Sequence, residues 1–143
     1  MQVCELMNPS VVSIAPEESA ALAARLLSRH NVGALPVCGG DGILRGIVTD
    51  RDIVLRCVAA EEAPECTPVR QIMTRGCASV APEDDVREAA RLMAVRQVRR
   101  LPVVEAGRVV GMVSLGDLAK SRRWDMEAGL ALSEISDPVR RRD

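Results

Sequence analysis

The chain has 143 residues, 48% of them hydrophobic, and a formal net charge of −1, which suits one compact domain with a real core and excludes a disordered or strongly basic chain. The balanced charge gives no general attraction to nucleic acid or anionic membrane, and no apolar stretch approaches the roughly 18 residues of a membrane-spanning helix. With one Trp and no Phe or Tyr, aliphatic side chains must fill the core, and a flat ligand would lie between aliphatic groups rather than on aromatic rings.

Val11 to Ile14 is a short β-branched run ended by Pro16, and it predicts a strand. Pro16, Glu17 and Glu18 suit a helix opening, because proline is tolerated in a first turn and acids there offset the helix dipole. Leu22, Leu26 and Leu27 keep helical spacing to about Arg29, where Asn31 to Gly33 breaks the pattern. Leu35–Cys38 and Ile43–Val48 flank the turn Gly39-Gly40-Asp41-Gly42 and read as a β-hairpin. A second helix starts at Thr49 and carries Ile53, Val54 and Val58. Glu61 to Thr67, with Pro64, reads as a linker.

The same order then recurs through Ala78–Val80, Glu83–Arg96, Leu101–Val104, Arg108–Val113 and Leu115–Ser121. After Arg123 the pattern departs, with Met126, Leu130 and Ile135 suggesting a short amphipathic helix before a tail that contains Arg140-Arg141-Arg142. The recurrence is a duplication: Met7 matches Met73, and Leu35-Pro36-Val37 matches Leu101-Pro102-Val103, both 66 positions apart. Gly46-Ile47-Val48-Thr49 then aligns with Gly111-Met112-Val113-Ser114 at a spacing of 65, so one residue is lost in the hairpin turn. The expected fold class is therefore α/β (α+β), two β-α-β-β-α repeats packed about a pseudo-two-fold axis that would create a cleft with matching walls.

Cys4, Cys38, Cys57, Cys66 and Cys77 are odd in number and lack C-x-x-C spacing, and His30 is the single histidine. They read as small buried hydrophobes in a reducing compartment rather than as a zinc site, and no metal ligands are assigned. The N-terminus shows no basic stretch followed by an apolar run, so a cytoplasmic protein is expected. No nucleophile–base or general acid–base pair stands out, no catalytic residue is assigned, and the chain does not read as an enzyme.

The repeated feature with chemical potential is Gly, two apolar residues, Ser or Thr, two variable residues, then Asp: Gly46 to Asp52 and Gly111 to Asp117. Taken alone it reads first as a common capping box, in which hydroxyl and carboxylate satisfy each other's backbone amides; the functional reading of the same geometry is a strand-to-helix junction suited to an anion. In the second case an Asp on the first turn could accept from two adjacent ribose hydroxyls while the Ser or Thr and the amides face a phosphate.

Val-x-x-hydrophobic-Met, a Val-rich strand before Pro-Glu, Gly-Ala-Leu-Pro-Val and Gly-Ile-Val-Thr-Asp-Arg-Asp-Ile together resemble the cystathionine-β-synthase (CBS) domain. The pair is similar to a Bateman module of the small stand-alone bacterial kind, with residues 1–60 as CBS motif 1, 61–68 as linker, 69–121 as CBS motif 2 and 122–143 as C-terminal helix and tail. The resemblance implies a non-catalytic sensor that binds AMP, ADP, ATP, NAD or S-adenosylmethionine in the cleft between the motifs, with no cofactor required. Thr49 and Asp52 would serve one site and Ser114 and Asp117 the other, with Val12, Ile14, Ala78 and Val80 lining the adenine pockets. Arg99 and Arg100 fall where related modules place basic residues facing phosphate, and Gly33-Ala34 stands there in the first repeat. Arg51 is either a further phosphate ligand or half of a surface ion pair with Asp52. The helical stretches Leu22–Arg29, Ile53–Val58, Leu92–Arg96 and Leu115–Ala119 carry more apolar positions than one small domain can bury, which predicts an interface. The resemblance supplies its form, a homodimer joined through helices, and the reading includes an unidentified protein target. The alternatives are a ligand-free interaction scaffold and a small nucleotide-hydrolysing or redox enzyme.

Overall fold

Two antiparallel β-hairpins, each flanked by helices, make a mixed α+β fold in the computed structural model, which describes residues 1–120. The expected helix over Met126–Ile135 and the basic tail lie outside the described residues. The first hairpin pairs β1 (Ala34–Cys38) with β2 (Leu44–Thr49) and the second pairs β3 (Arg100–Glu105) with β4 (Arg108–Ser114). In the first hairpin the register steps from Val37↔Gly46 to Cys38↔Leu44, which bulges Arg45 out of the ladder. This is also where the two repeats differ in length.

The helices are α1 (Ala20–His30), α2 (Asp50–Ile53), α3 (Val86–Arg96) and α4 (Leu115–Ala119). Both long helices start later than Pro16-Glu17-Glu18 and Glu83 suggested. Ser19 Oγ accepts from Leu22 N–H and Asp85 from Arg87 N–H, so these caps set the starts, and the Pro-Glu segment before each forms a turn instead, closed in the second repeat by Asp84 accepting from Ala81 N–H. Both helices end on a left-handed residue, Asn31 at φ 52° and Gln97 at φ 58°. Beyond α2 the chain widens at Val54–Val58 into i→i+5 bonding, with Ala59 N–H donating to Val54 O at 2.8 Å.

The two expected opening strands shrink to single bridges, Ile14↔Val37 and Val80↔Val103, both parallel. Ile14 N–H donates to Pro36 O and its own carbonyl accepts from Cys38 N–H, and Val80 does the same between Pro102 and Val104. Pro16 and Pro82 follow two residues later without an N–H, so neither ladder extends.

The chain folds as two compact units that exchange their opening segments relative to the order of the sequence. Among the described residues one holds Met1–Val11, Ala78–Glu105 and 110–120; the other holds Val12–Cys77 with Ala106–Val109. Single turns at Val3–Glu5 and Val69–Gln71 make the exchange: Val3 N–H donates to Asp84 O at 2.8 Å, and Val69 N–H to Glu18 O at 2.7 Å. Val3 and Val69 are fully buried, each in the core of the unit built around the other repeat's helices. The repeated Val-x-x-hydrophobic-Met segment is therefore an anchor that docks on the partner repeat.

Each unit has its own core. Leu35, Val37, Val48 and Cys57 are fully buried in one, and Met93, Val103, Val113 and Val86 in the other. Each such aliphatic side chain contributes about 1.5–3 kcal/mol.

Candidate functional site: two strand-to-helix junctions

In the unit containing the first repeat, β2 runs directly into α2, so Thr49 is the N-cap. Thr49 Oγ1 accepts from Asp52 N–H at 3.0 Å and Asp52 Oδ2 accepts from Thr49 N–H at 3.0 Å, a reciprocal capping box. The other first-turn amides are also taken: Asp50 N–H donates to Gly33 O at 3.1 Å and Arg51 N–H to Asp50 Oδ1 at 2.8 Å. The junction has no vacant amide for an anion, contrary to the geometry expected of a free helix start.

Asp52 is buried, with 7% of its surface exposed. Thr74, from the segment that follows the linker, donates its hydroxyl to both carboxylate oxygens, at 3.3 Å and 3.4 Å. Arg56 Nε lies 3.9 Å from Asp52 Oδ1, and Arg56 Nη1 donates to the carbonyls of Ile72 and Met73 at 3.3 Å and 3.2 Å. Thr74 itself is bound edge-on to β2 through Ile47, N–H to O at 2.8 Å and 3.0 Å in the two directions. Gly46 permits that approach, since a Cβ there would lie 2.6 Å from Thr74 O.

The other unit repeats the junction with a looser carboxylate. Ser114 Oγ accepts from Asp117 N–H at 3.1 Å, and Asp117 Oδ2 accepts from Ser114 N–H at 2.9 Å. Leu115 N–H donates to Arg99 O at 2.8 Å, as Asp50 does to Gly33. Leu115 stands in the place of Asp50 and so has no carboxylate for the following amide of Gly116. The Asp117 side chain is 23% exposed and lies 3.9 Å from Lys120 Nζ. Asn8, at the repeat position of Thr74, pairs with Met112 through its backbone and uses its side-chain oxygen to accept from Ser10 N–H at 3.0 Å.

The candidate ligand residues divide cleanly: Val12, Ile14, Thr49, Arg51 and Asp52 fall in one unit, and Ala78, Val80, Arg99, Arg100, Ser114 and Asp117 in the other. Ile14 and Val80 are buried on the parallel bridges, and Val12 and Ala78 are half-buried against the two cores. Arg51 is exposed and makes no ion pair with Asp52 among the described residues; the cation beside Asp52 is Arg56. Arg100 is half-buried at the start of β3, and Arg99 is exposed. Arg56 and Thr74 escaped the sequence reading. An Asp-to-Arg spacing of four on one helix was a legible hint of the first, whereas Thr74 lies 22 positions from Asp52 and had no local signal.

Cys38, at the end of β1, has its thiol pKa pushed up by burial, with a Ser13 hydrogen bond opposing and the nearby Asp41 and Cys77 adding to the rise. An open groove of about 340 Å³ beside α3 is lined by Ser79, Val80, Asp84, Glu88, Arg91 and Leu92, among others. Among the described residues no group of three or more His, Cys, Asp or Glu side chains is placed to hold a metal ion, and no helix is long and apolar enough to cross a membrane.

The family pattern of the CBS domain matches the chain twice, over residues 3–58 and 69–123. The CBS domain-containing protein YhcV of Bacillus subtilis is 41% identical over 134 residues, covering 94% of each chain. The crystal structure of Hypoxic Response Protein I with two coordinated zinc ions is 33% identical at a TM-score of 0.79, covering 84% of this chain and 98% of that one. The CBS domain pair of protein MJ0100, solved in complex with 5-methylthioadenosine and S-adenosyl-L-methionine, is 27% identical at a TM-score of 0.75, covering 84% and 94%.

Proposed function

Because the chain belongs to the CBS-domain family and consists of two such domains over nearly its described length, we propose that it is a regulatory module that binds an adenosine-containing ligand without turning it over. One observation carries this reading. The same hydroxyl–carboxylate box stands at the same strand-to-helix junction in both units, and at Asp117 the carboxylate keeps 23% of its side chain exposed. A capping role alone needs only the backbone amides; an accessible carboxylate beside a short helix start can also accept from the two hydroxyls of a ribose.

Ser114 and Asp117 then hold the ribose in the second-repeat unit, with Ala78 and Val80 offering aliphatic surface to adenine and Arg100 facing phosphate. Thr49 and Asp52, with Val12 and Ile14, form the corresponding first-repeat site. The ligand class is AMP, ADP, ATP, NAD or S-adenosylmethionine, which share the adenosine that these residues would read. The similarity to the MJ0100 pair supports adenosine as the common element.

The signal would pass through assembly. Val54, Leu55 and Val58 are 54%, 49% and 60% exposed on one short helical stretch, an apolar surface of the kind that marks an interface. The proposed form is a homodimer joined through helices, acting on a protein target. A thermal-shift series with AMP, ATP, NAD and S-adenosylmethionine tests the binding: a ligand that prefers the native state must raise the melting temperature. No shift with any of the four at millimolar concentration, together with no heat of binding by calorimetry, would remove the adenosine reading and leave a scaffold.

A further inference from the structure

The two junctions differ in what already occupies the carboxylate. A carboxylate pair of oxygens has about four acceptor positions. On Asp52, Thr49 N–H takes one, the Thr74 hydroxyl bridges both oxygens at 3.3 Å and 3.4 Å, and Arg56 stands 3.9 Å away. With Asp52 only 7% exposed, a sugar diol cannot add to this set; it must replace the Thr74 hydroxyl.

We infer that Thr74 is a clasp on Asp52, an internal hydroxyl that fastens the Ile72–Thr74 segment to the start of α2 and that a ribose must displace to enter the first-repeat site. The competition rests on the adenosine reading above; the fastening does not. Arg56 strengthens the clasp by donating to the carbonyls of Ile72 and Met73, so one carboxylate, one hydroxyl and one guanidinium tie the segment to the helix. In the second-repeat unit Asn8 stands in place of Thr74, with its side-chain oxygen already engaged by Ser10 N–H. The clasp therefore makes the first-repeat site the weaker of the two for a ligand with a free cis-diol. Occupancy of that site releases Thr74, which would loosen the edge of β2 at Ile47.

Two measurements separate the parts. Without nucleotide, a double-mutant cycle of Asp52→Asn and Thr74→Val in urea unfolding should show the two side chains coupled by about three- to tenfold in the unfolding constant, with Thr74→Ser restoring the wild-type value. Additive effects would overturn the clasp, whatever the protein binds. In an Asp117→Ala background that silences the second site, calorimetry with adenosine should show Thr74→Val binding about three- to tenfold tighter than its parent and Thr74→Ser binding like the parent. 2′-Deoxyadenosine, with one hydroxyl fewer, should gain less. Unchanged or weaker adenosine binding by the Val variant would overturn the competition. Coupling without binding of adenosine, AMP, ATP, NAD or S-adenosylmethionine by any variant, the wild type included, would sink the proposed function and the competition with it, and uphold the fastening.

Discussion

The hydroxyl of Thr74 bridges both oxygens of Asp52, although 22 positions separate the two residues in sequence. The contact exists because the segment that opens the second repeat is an edge partner of β2 in the first-repeat unit, where Ile47 and Thr74 exchange backbone hydrogen bonds. At Asp117 the partner from another segment is replaced by Asn8, held by Ser10, and the nearest cation is Lys120 at 3.9 Å. Two boxes identical in local sequence logic thus sit in different environments.

The first consequence concerns stability. Asp52→Ala removes an N-cap partner, leaves the Thr74 hydroxyl without its acceptor and takes away the charge beside Arg56, so it should cost about 2–3 kcal/mol. Asp117→Ala removes chiefly the cap acceptor at a more exposed site and should cost about 1 kcal/mol. Urea unfolding followed by circular dichroism checks the order; equal losses would show that the Thr74 and Arg56 contacts add nothing.

The two glycines that admit the exchanged segments should also be unequal. A Cβ at Gly46 would lie 2.6 Å from Thr74 O, a backbone atom fixed by the bridge to Ile47. At Gly111 the nearest atom is Met7 Sδ at 2.5 Å, the mobile end of a flexible side chain. Gly46→Ala should therefore cost about 3 kcal/mol and Gly111→Ala about 1–2 kcal/mol. Comparable losses in thermal unfolding would mean that Met7 is as immovable as the carbonyl.

Much of this fold was legible because the duplication gave every element twice. The hairpins around Gly39–Gly42 and Ala106–Gly107, the αL stop at Asn31 and the junctions at Thr49 and Ser114 all carry local chemistry that the sequence displays. What it could not display is non-local. Nothing near Val3 or Val69 tells which unit each will enter, since both have the same apolar pattern and either core would accept them. The late starts of α1 and α3 were hidden by a local conflict: Pro16-Glu17 favours a helix opening, but Ser19 offers a cap two residues beyond it, and the cap wins. At the site, the Ser/Thr-x-x-Asp pair was readable, whereas its occupancy by Thr74 depended on that unreadable exchange.

Cysteine accessibility offers a direct check of burial. Cys4 and Cys66 are exposed, while Cys38 and Cys57 are buried. Burial raises the Cys38 pKa above the ordinary thiol value of 9.0, so folding favours its protonated form. That contribution is fully present below the ordinary value and fades as pH rises through the folded value. Iodoacetamide at pH 8 should alkylate Cys4 and Cys66 first, leaving Cys38 and Cys57 until denaturant is added. Peptide mass spectrometry reads the order, and early labelling of Cys38 would show that the end of β1 opens.

Asp85 sets the acid side. Arg87 holds its carboxyl below the usual value of 3.8, first through the Arg87 N–H bond of the N-cap and then through the guanidinium at 3.3 Å. A depressed folded-state pKa contributes stability that is present above the unfolded value and lost as pH falls through the folded one. Asp85→Asn keeps a capping oxygen without the charge. Its melting temperature should lie below that of the wild type at pH 6 and converge with it as the pH drops below 3.8 toward the lowered value. A constant gap across that range would assign the effect to packing at the helix start instead.

The last prediction concerns the exposed stretch after α2. Val54, Leu55 and Val58 are each about half exposed or more, and the same stretch buries Cys57 in the core just beyond Ile53 of α2. Leaving three aliphatic side chains in water forgoes about 1–2 kcal/mol apiece relative to burial, so a second copy presenting the same stretch can recover that free energy across an isologous interface. Charged groups placed there should prevent it while leaving the core intact. Light scattering of the wild type should give twice the 15.4 kDa chain mass, and Leu55→Glu/Val58→Glu should give the single-chain mass with an unchanged far-ultraviolet circular dichroism spectrum. A wild type that scatters as a single chain at micromolar concentration, with and without AMP, would remove the dimer. A dimer that survives both substitutions would move the interface elsewhere.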